Sequence, residues 1–329
     1  MGGCIGGPKG EWVKALALNS EAFVLAVLSV VLTWILAFAP MQGLFLVALA
    51  PFPLVVLAVK YPWRLALWVA GLEAVGVGLF RGGQALLLFS QYGLVPLVIA
   101  WSVRQGYSIA RTMVWSVALP LGMGTVFLLL YSVVVQQPLF LLLSTYLEQV
   151  LEMMQNQLRI MAQTPEGGGE EFTAFAQTLP RFVLTIFPAL WVMNHLLTNV
   201  WNYILVRYYC SRSRPPIQLD PVDLTCWRAS DYLVWVFLAS GAASLVPLAP
   251  IGIVGLNVFL VTLAIYLLHG LAIAGFWGRR VPFPFGLRLL LALMIFLVAG
   301  PLCIMLCIVA GLFDLWIDFR RQRGQPVAS

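Results

Sequence analysis

The sequence predicts an all-α protein, a polytopic bundle of transmembrane helices. Three observations support this fold class. Of the 329 residues, 61% are hydrophobic and 10% are charged, whereas a soluble domain carries about 25% charged residues. Apolar runs close to the roughly 20 residues that a membrane-spanning helix needs recur along the chain. Basic residues cluster in alternate loops between these runs, which is typical of a multi-pass membrane protein.

Eight apolar segments are each suited to one crossing. They are 22–39, 43–59, 63–80, 84–103, 112–135, 182–206, 231–247 and 250–276. A further run, 283–318, is too long for one crossing. As a straight helix it would measure about 54 Å, against a hydrocarbon core of about 30 Å.

The basic residues orient these spans. On one side of the predicted membrane lie 16 of the 19 lysines and arginines, and the opposite loops hold only Arg81, Arg159 and Arg181. The basic side is expected to be the cytoplasm. Both flanks of the run 283–318 are basic and should be inside, so this run is expected to cross twice.

The stretch "AGPLC" supplies the turn of that last run, because Pro301 cannot continue a helical hydrogen-bond ladder. We therefore expect 283–318 to form a C-terminal transmembrane hairpin, which gives about ten spans with both termini cytoplasmic. Asp314 and Asp318 are then expected at the inner interface, anchoring the helix and forming ion pairs with Arg320 and Arg321. The whole chain, 1–329, is expected to be a single integral membrane domain.

The loop 137–181 is expected outside as an extracytoplasmic amphipathic insertion. Apolar side chains recur at helical spacing over 143–161, while Glu148 and Glu152 occupy other angles. The stretch "TPEGGGEE" that follows is a flexible breaker. This helix is expected to lie on the membrane surface or on the bundle, and a lid or partner-docking element is the alternative.

Glu73 is an ionisable residue inside a predicted span. It lies nine residues after Arg64 and eight before Arg81, near the middle of the bilayer. Ionisable groups at this depth are costly and are functional hypotheses by default. Two interpretations stay open: a neutral glutamic acid that hydrogen-bonds inside the bundle, or a group that couples protons or contacts a substrate.

A second polar set lies in "NHLLTNVWN". Its members share one helix face at spacings i, i+3, i+4 and i+7, namely His195, Thr198, Asn199 and Asn202. They serve either interhelical hydrogen bonding or a solute-lining cavity. Asn257 and His269 on the eighth span are weaker candidates. The predicted substrate-binding set is therefore Glu73, His195, Thr198, Asn199, Asn202, Asn257 and His269.

Several activities find no support in the sequence. There is no Walker motif, the five cysteines form no CxxC pair, and two histidines are too few for a typical zinc cluster. No basic polar face suggests nucleic-acid binding. We expect no enzyme, no catalytic residues, no metal and no cofactor, with the lipid bilayer as the main partner.

Three stretches in the second half carry a resemblance: "NYILVRYY", "GLNVFLVTLAIYLLHGLAIAGF" and "GLFDLWIDFRR". They resemble the YybS-like family of predicted bacterial membrane proteins, a domain of unknown function, and the resemblance covers roughly 20–320. That family is distantly similar to the substrate-binding S components of energy-coupling-factor vitamin transporters. S components usually have six spans, whereas ten are expected here.

The resemblance implies a multi-pass protein of the bacterial cytoplasmic (inner) membrane, with a helical bundle and a solute pocket that opens outward. Such a transporter component would work with a membrane or ATPase partner. The alternative is a non-enzymatic membrane scaffold or envelope-assembly protein that binds a partner. The oligomeric state, the solute and the partner are left open.

Overall fold

The structure is a computed structural model that describes residues 9–38, 49–81, 89–138, 170–213 and 224–320, together with parts of 141–156. Within these ranges the secondary structure is helical, without a β-strand. The chain divides into two compact units. Unit 1 comprises residues 1–150 and 194–221, and unit 2 comprises 151–193 and 222–329. That 1–329 acts as a single domain stays a prediction.

The helices of the described ranges are numbered in chain order. They are α1 (Lys9–Phe38), α2 (Pro51–Lys60), α3 (Trp63–Arg81), α4 (Val95–Arg104), α5 (Ile109–Val135), α6 (Glu170–Arg212), α7 (Leu233–Ser244), α8 (Ala249–Gly278) and α9 (Phe285–Ile317). A π-helical turn, Ser90–Leu94, precedes α4, and a 3-10 turn, Leu224–Cys226, precedes α7.

Six helices of the described part are long and apolar enough to cross a membrane. The segments are Ser20–Ala37, Trp63–Phe80, Ile109–Val135, Phe182–Arg212, Pro250–Gly278 and Met294–Ile317. The all-helical fold is confirmed, whereas the count of ten spans and the cytoplasmic termini are not. The predicted spans 43–59 and 84–103 run partly into residues outside the described ranges.

The predicted span 231–247 forms a shorter helix than expected. α7 has 12 residues, about 18 Å of helix, which is less than the thickness of a hydrocarbon core. It ends at Ser244 because Val246 precedes Pro247, and a residue before proline disfavours helical backbone. At Gly255 a β-carbon would lie only 2.7 Å from the Ala243 carbonyl carbon, so glycine lets α7 and α8 pack closely.

α9 returns to the end of α8 from which it starts. Near its beginning, Arg288 Nη1 donates to the Gly278 carbonyl over 3.0 Å. Just beyond its end, Arg320 Nη1 donates to the Thr225 carbonyl over 2.9 Å, and the Thr225 methyl lies against Gly275. A straight helix of 33 residues would separate these ends by about 50 Å, so α9 is sharply bent.

The bend lies at Ala299, where φ is −129° and ψ is 32°, two residues before Pro301. A proline disrupts the turn before it because it lacks an N–H and its ring crowds the carbonyl four residues back. The bend therefore falls within "AGPLC", where the sequence places the turn of the hairpin 283–318. That the two halves cross a membrane separately stays a prediction.

Unit 1 is centred on α2, which packs against α1, α3 and α4. Every residue of α2 from Leu54 to Ala58 is fully buried, although the helix has only 10 residues. The second part of α6 adds Tyr203, Val206 and Cys210 to the buried core of this unit. A helix that is apolar on all sides is a core helix, and α2 has this role.

Unit 2 is centred on α8, which packs against α7 and α9. Gly270 and Gly311 lie at the α8–α9 contact. A β-carbon at Gly270 would overlap the Cys307 carbonyl, and one at Gly311 would overlap the Tyr266 carbonyl. Small residues allow this backbone-to-backbone approach, which is a common way of packing helices in membranes.

Candidate functional site

Glu73 lies on the buried face of α3, near the middle of the candidate span Trp63–Phe80. Its side chain packs toward α1, where Ser29 Oγ donates a 2.6 Å hydrogen bond to Glu73 Oε1. Thr33 is also buried and follows one turn later on α1. The approach is close because Gly76, one turn along α3, has no side chain to displace the Trp34 ring.

The second carboxyl oxygen of Glu73 does not accept a hydrogen bond of the kind that Ser29 donates to the first. Glu73 Oε2 is buried and has no hydrogen-bond partner among the residues that the structure describes. No lysine or arginine of the described part forms an ion pair with this carboxyl group. A buried polar atom without a partner usually costs about 1–3 kcal/mol, so this oxygen is available to bind a proton or a ligand.

The polar face of α6 is buried as the sequence predicts for a stripe that avoids lipid. His195, Thr198, Asn199 and Asn202 are all at most 6% exposed. Asn202 Nδ2 donates to the Thr198 carbonyl of its own helix over 2.8 Å. This face is therefore buried, and the hydrogen bond described for Glu73 comes from Ser29 on α1.

Asn199 has a specific structural partner on α5. Its Nδ2 donates to the Ser116 carbonyl over 3.2 Å and to Ser116 Oγ over 3.0 Å. Pro120 lies four residues after Ser116 and has no N–H, so it leaves the Ser116 carbonyl without its usual helical donor. Asn199 replaces that donor, which is how neighbouring helices make a proline tolerable in a membrane helix.

Asn257 on α8 makes a similar contact in unit 2. Its Oδ1 accepts from the Ala189 amide over 2.8 Å, and its Nδ2 donates to the Thr185 carbonyl over 2.8 Å. These two backbone groups face each other across one turn of α6, beside Pro188. The side chain thus inserts next to a proline-disturbed turn and satisfies both groups.

His269 belongs to a buried ionic cluster that was not predicted from the sequence. Asp314 on α9 is fully buried, and its Oδ2 accepts from Arg320 Nη2 over 2.8 Å. His269 Nε2 lies 3.1 Å from the same oxygen, and Arg228 Nε lies 3.5 Å from it. Oδ1 accepts from the Phe319 amide over 2.8 Å. The predicted ion pair of Asp314 with Arg320 is confirmed, but it is buried inside unit 2.

Arg320 fixes the chain after α9 onto the segment before α7. Besides Asp314, its guanidinium donates to the carbonyls of Thr225 and Trp227, both over 2.9 Å. Arginine suits this role because its planar fork makes several hydrogen bonds in fixed directions. Breaking a buried ion pair on one side leaves an uncompensated charge, so this cluster is expected to be important for the fold of unit 2.

A third polar cluster joins α1, α2 and α6 in unit 1. Lys60 Nζ donates to both carboxylate oxygens of Glu21 over 2.7 Å, and Tyr209 donates its hydroxyl to Glu21 Oε1. Burial, with the Glu21 carboxylate beside it, raises the pKa of Tyr61 to about 12. Tyr61 therefore stays neutral. The cluster stabilises the packing of α1, α2 and α6 against one another.

A family model matches most of the chain. Residues 27–315 match the family model described as "Predicted membrane protein (DUF2232)". The chain belongs to this family. No curated protein and no solved structure matches it. Membership agrees with the six candidate spans, whereas the YybS assignment and the similarity to S components stay predictions.

The candidate site residues of this DUF2232 protein fall in both units. Glu73 and the α6 stripe lie in unit 1, and Asn257 and His269 lie in unit 2. Among the described residues, no group of three histidine, cysteine or acidic side chains is arranged to hold a metal ion. That the α6 stripe and Glu73 share a polar interior stays a prediction.

The sequence identified the buried polar residues but not the residues that contact them. Ser29, Ser116 and Arg228 were not singled out, although each contacts a predicted or charged residue. One of them, Ser116, had a detectable signal. A proline inside an apolar span, such as Pro120, predicts an orphan carbonyl four residues back at Ser116, and a buried amide elsewhere is its natural donor.

Proposed function

We propose that this DUF2232 protein is a solute-binding component of a membrane transport system, in which Glu73 contacts the solute or carries a proton with it. The observation that supports this proposal is the unengaged carboxyl oxygen of Glu73, buried near the middle of a candidate span. Burying an ionisable group at that depth without a counter-ion raises the free energy of the folded protein. Binding a cation or a polar solute at this group offsets that cost.

The neighbourhood of Glu73 suits reversible binding better than static packing. Ser29 satisfies one carboxyl oxygen and holds the side chain in place, while the other oxygen is left for an incoming donor. The amides of the α6 stripe and of α8 are less suited, because Asn199 and Asn257 already bind backbone groups beside prolines. We therefore assign the functional role to Glu73 first.

The proposed topology places this protein in the bacterial cytoplasmic (inner) membrane, with ten crossings and both termini inside. Two observations support it. The basic residues concentrate in alternate loops, and α9 returns to the arginine-rich end of α8. A transport component of this kind would work with a membrane or ATPase partner.

Ligand-dependent thermal stability tests the proposed function. Purified protein in mild detergent is heated with single compounds from a panel of vitamins, amino acids and nucleobases. A ligand that binds only the folded state at about 100 times its Kd stabilises it by about 2.7 kcal/mol. We expect one chemical class to raise the melting temperature of the parent and to lose most of this effect in Glu73→Gln.

Glu148→Gln is the matched control, because it removes an exposed carboxylate from the predicted outer segment. It should respond to the ligand as the parent does. If no compound class stabilises the parent, the solute-binding proposal fails for those classes. If a ligand stabilises parent and Glu73→Gln equally, the solute site lies elsewhere and Glu73 has no part in it.

A membrane scaffold is the second candidate, and one observation favours it. A cleft in unit 2 and a second one on α5 are both lined by residues other than Glu73 and the α6 stripe. The larger, about 260 Å³, is an apolar hollow along α5 alone. Copurification in gentle detergent discriminates between the candidates: an ATPase module supports transport, and an envelope assembly without an ATPase supports the scaffold.

A further inference from the structure

A small cleft opens beside the buried ionic cluster of unit 2. Arg228, Ser230, Asp231, Tyr266 and His269 are among its lining residues. Its enclosed space is about 10 Å³, roughly the room that one water-sized atom requires. The cleft is too small for a solute, but one oxygen atom of a larger group could enter it from outside.

His269 lines the cleft, and one of its ring nitrogens has no hydrogen-bond partner among the described residues. His269 Nε2 lies 2.6 Å from Arg320 Nη2 and 3.1 Å from Asp314 Oδ2. The guanidinium requires Nε2 to accept a hydrogen bond, whereas the carboxylate would require it to donate one. Arginine is always protonated and only donates, so the shorter contact requires Nε2 to accept. The ring proton of a neutral His269 then resides on Nδ1.

His269 Nδ1 is buried and has no hydrogen-bond partner among the described residues. The whole residue is 3% exposed, and it lines the cleft. A buried donor without an acceptor is unfavourable by about 1–3 kcal/mol, so an acceptor atom in the cleft would be stabilised there. This is the first reason to expect an oxygen-bearing ligand.

The charge of the cluster gives the second reason. Two arginines, Arg228 and Arg320, share the single carboxylate of Asp314, which leaves one positive charge in excess. Arg320 is almost completely buried, but the side chain of Arg228 is 45% exposed and borders the cleft. Arg228 can therefore donate to an incoming anion while Arg320 continues to neutralise Asp314.

We propose that this cleft binds the phosphate group of an anionic phospholipid, with the Arg228 guanidinium and the His269 Nδ1–H as donors. One phosphate oxygen would occupy the cleft, and the other oxygens would face Arg228. The site is separate from Glu73, which lies in unit 1, so it stands or falls independently of the proposed function.

The surroundings favour a lipid over free phosphate. Tyr232 and Trp316 adjoin the lining residues Asp231 and Leu315, and they are 81% and 63% exposed. Exposed aromatic side chains at the end of membrane helices are typical of the interface, where they contact lipid glycerol and upper acyl chains. Basic pockets between membrane helices are common sites for anionic headgroups.

Asp231 is the one acidic residue that lines the cleft, and its charge opposes an anion. It is exposed, so water and salt screen its charge far more than they screen the buried cluster. The local balance therefore stays in favour of an anion.

The test uses delipidated full-length protein, native mass spectrometry and thermal melting. The probes are short-chain phosphatidylglycerol, phosphatidylcholine with the same chains, and inorganic phosphate at equal concentration. We expect one tightly held phosphatidylglycerol and a higher melting temperature with that lipid alone. Arg228→Gln and Ser230→Glu should each weaken its binding about tenfold or more, as expected when a charged hydrogen bond is lost or a like charge is added.

Ser230→Glu keeps the test valid if Arg228→Gln does not fold, because Ser230 is exposed and takes no part in the ionic cluster. Arg64→Gln is the control, since it removes an exposed arginine from unit 1, and it should bind the lipid as the parent does. Equal binding of both phospholipids, equal stabilisation by inorganic phosphate, or unchanged binding in both cleft variants would overturn the proposal.

Discussion

At the scale of single residues, polar side chains in the apolar helices have two different roles. Asn199 and Asn257 bind backbone groups beside Pro120 and Pro188, so their side-chain amides are engaged in hydrogen bonds that stabilise the fold. Glu73 accepts from Ser29 through one carboxyl oxygen, and the other oxygen has no hydrogen-bond partner by distance and angle among the described residues. From the sequence alone, Asn199, Asn257 and Glu73 are all candidate binding residues in apolar helices. The sequence shows the polar side chain but not its hydrogen-bond partner.

The role of Asn199 gives the first prediction. Asn199→Leu leaves the buried Ser116 carbonyl without a donor and should lower stability by about 1–3 kcal/mol. In a Pro120→Ala background the same change should cost much less, because residue 120 then donates to Ser116 within the helix. Thermal melting of the parent, the two single variants and the double variant measures this coupling.

An equal loss of stability in both backgrounds would show that Asn199 does not compensate for Pro120. If Asn199→Leu instead keeps full stability and abolishes function, the stripe on α6 lines a solute path. The four melting curves, together with the activity of Asn199→Leu, therefore separate the two interpretations that the sequence leaves open for this helix face.

At the scale of helices, the closest packing occurs where glycines face backbone. Gly270→Ala should force α8 and α9 apart, because its methyl group would overlap the Cys307 carbonyl. We expect a loss of about 1–3 kcal/mol, typical of overpacking. Gly278→Ala is the matched control on the same helix, since a β-carbon there meets nothing within 4 Å.

Thermal melting in detergent compares these two variants with the parent. Gly278→Ala should be neutral or slightly stabilising, because alanine favours helix over glycine. A Gly270→Ala protein that melts like Gly278→Ala would mean that α8 and α9 do not approach as described.

The outer segment supplies a second prediction for an element. The described residues between 141 and 156 are helical, with Glu152 exposed and Leu151 half-buried. In a background without native cysteines, Glu152→Cys should react with an impermeant thiol reagent faster than Leu151→Cys. Equally rapid labelling of both positions would indicate a disordered loop. The part of the insertion from 157 to 169 lies outside the described residues.

Helix periodicity and proline positions predicted much of the architecture at this scale. The bend of α9 within "AGPLC" follows from Pro301 alone. The length of α7 was overestimated, because hydropathy continues through Leu245 and Val246 although Pro247 prevents the helix from following. The cluster around Asp314 could not be predicted, since it joins Arg228 and His269 from distant parts of the chain and no local pattern links them.

At the scale of the whole molecule, charge distribution predicts the topology. A reporter fused after Gly324 should report the cytoplasm, and a reporter inserted at Gly168 should report the exterior, because the flanking loops are basic and acidic respectively. Paired activity-based reporters for the two compartments measure this. The same compartment for both positions would contradict the predicted span count.

The central claim for the molecule is that Glu73 acts through its ability to ionise. Glu73→Gln keeps the size of the side chain and its hydrogen bond with Ser29 but cannot release or carry a proton. The most direct measurement is whether this variant restores the activity that deletion of the gene removes. Membrane abundance and melting temperature are matched to the parent. We predict normal abundance and stability without restored activity, and full restoration by a stable Glu73→Gln protein would contradict the claim.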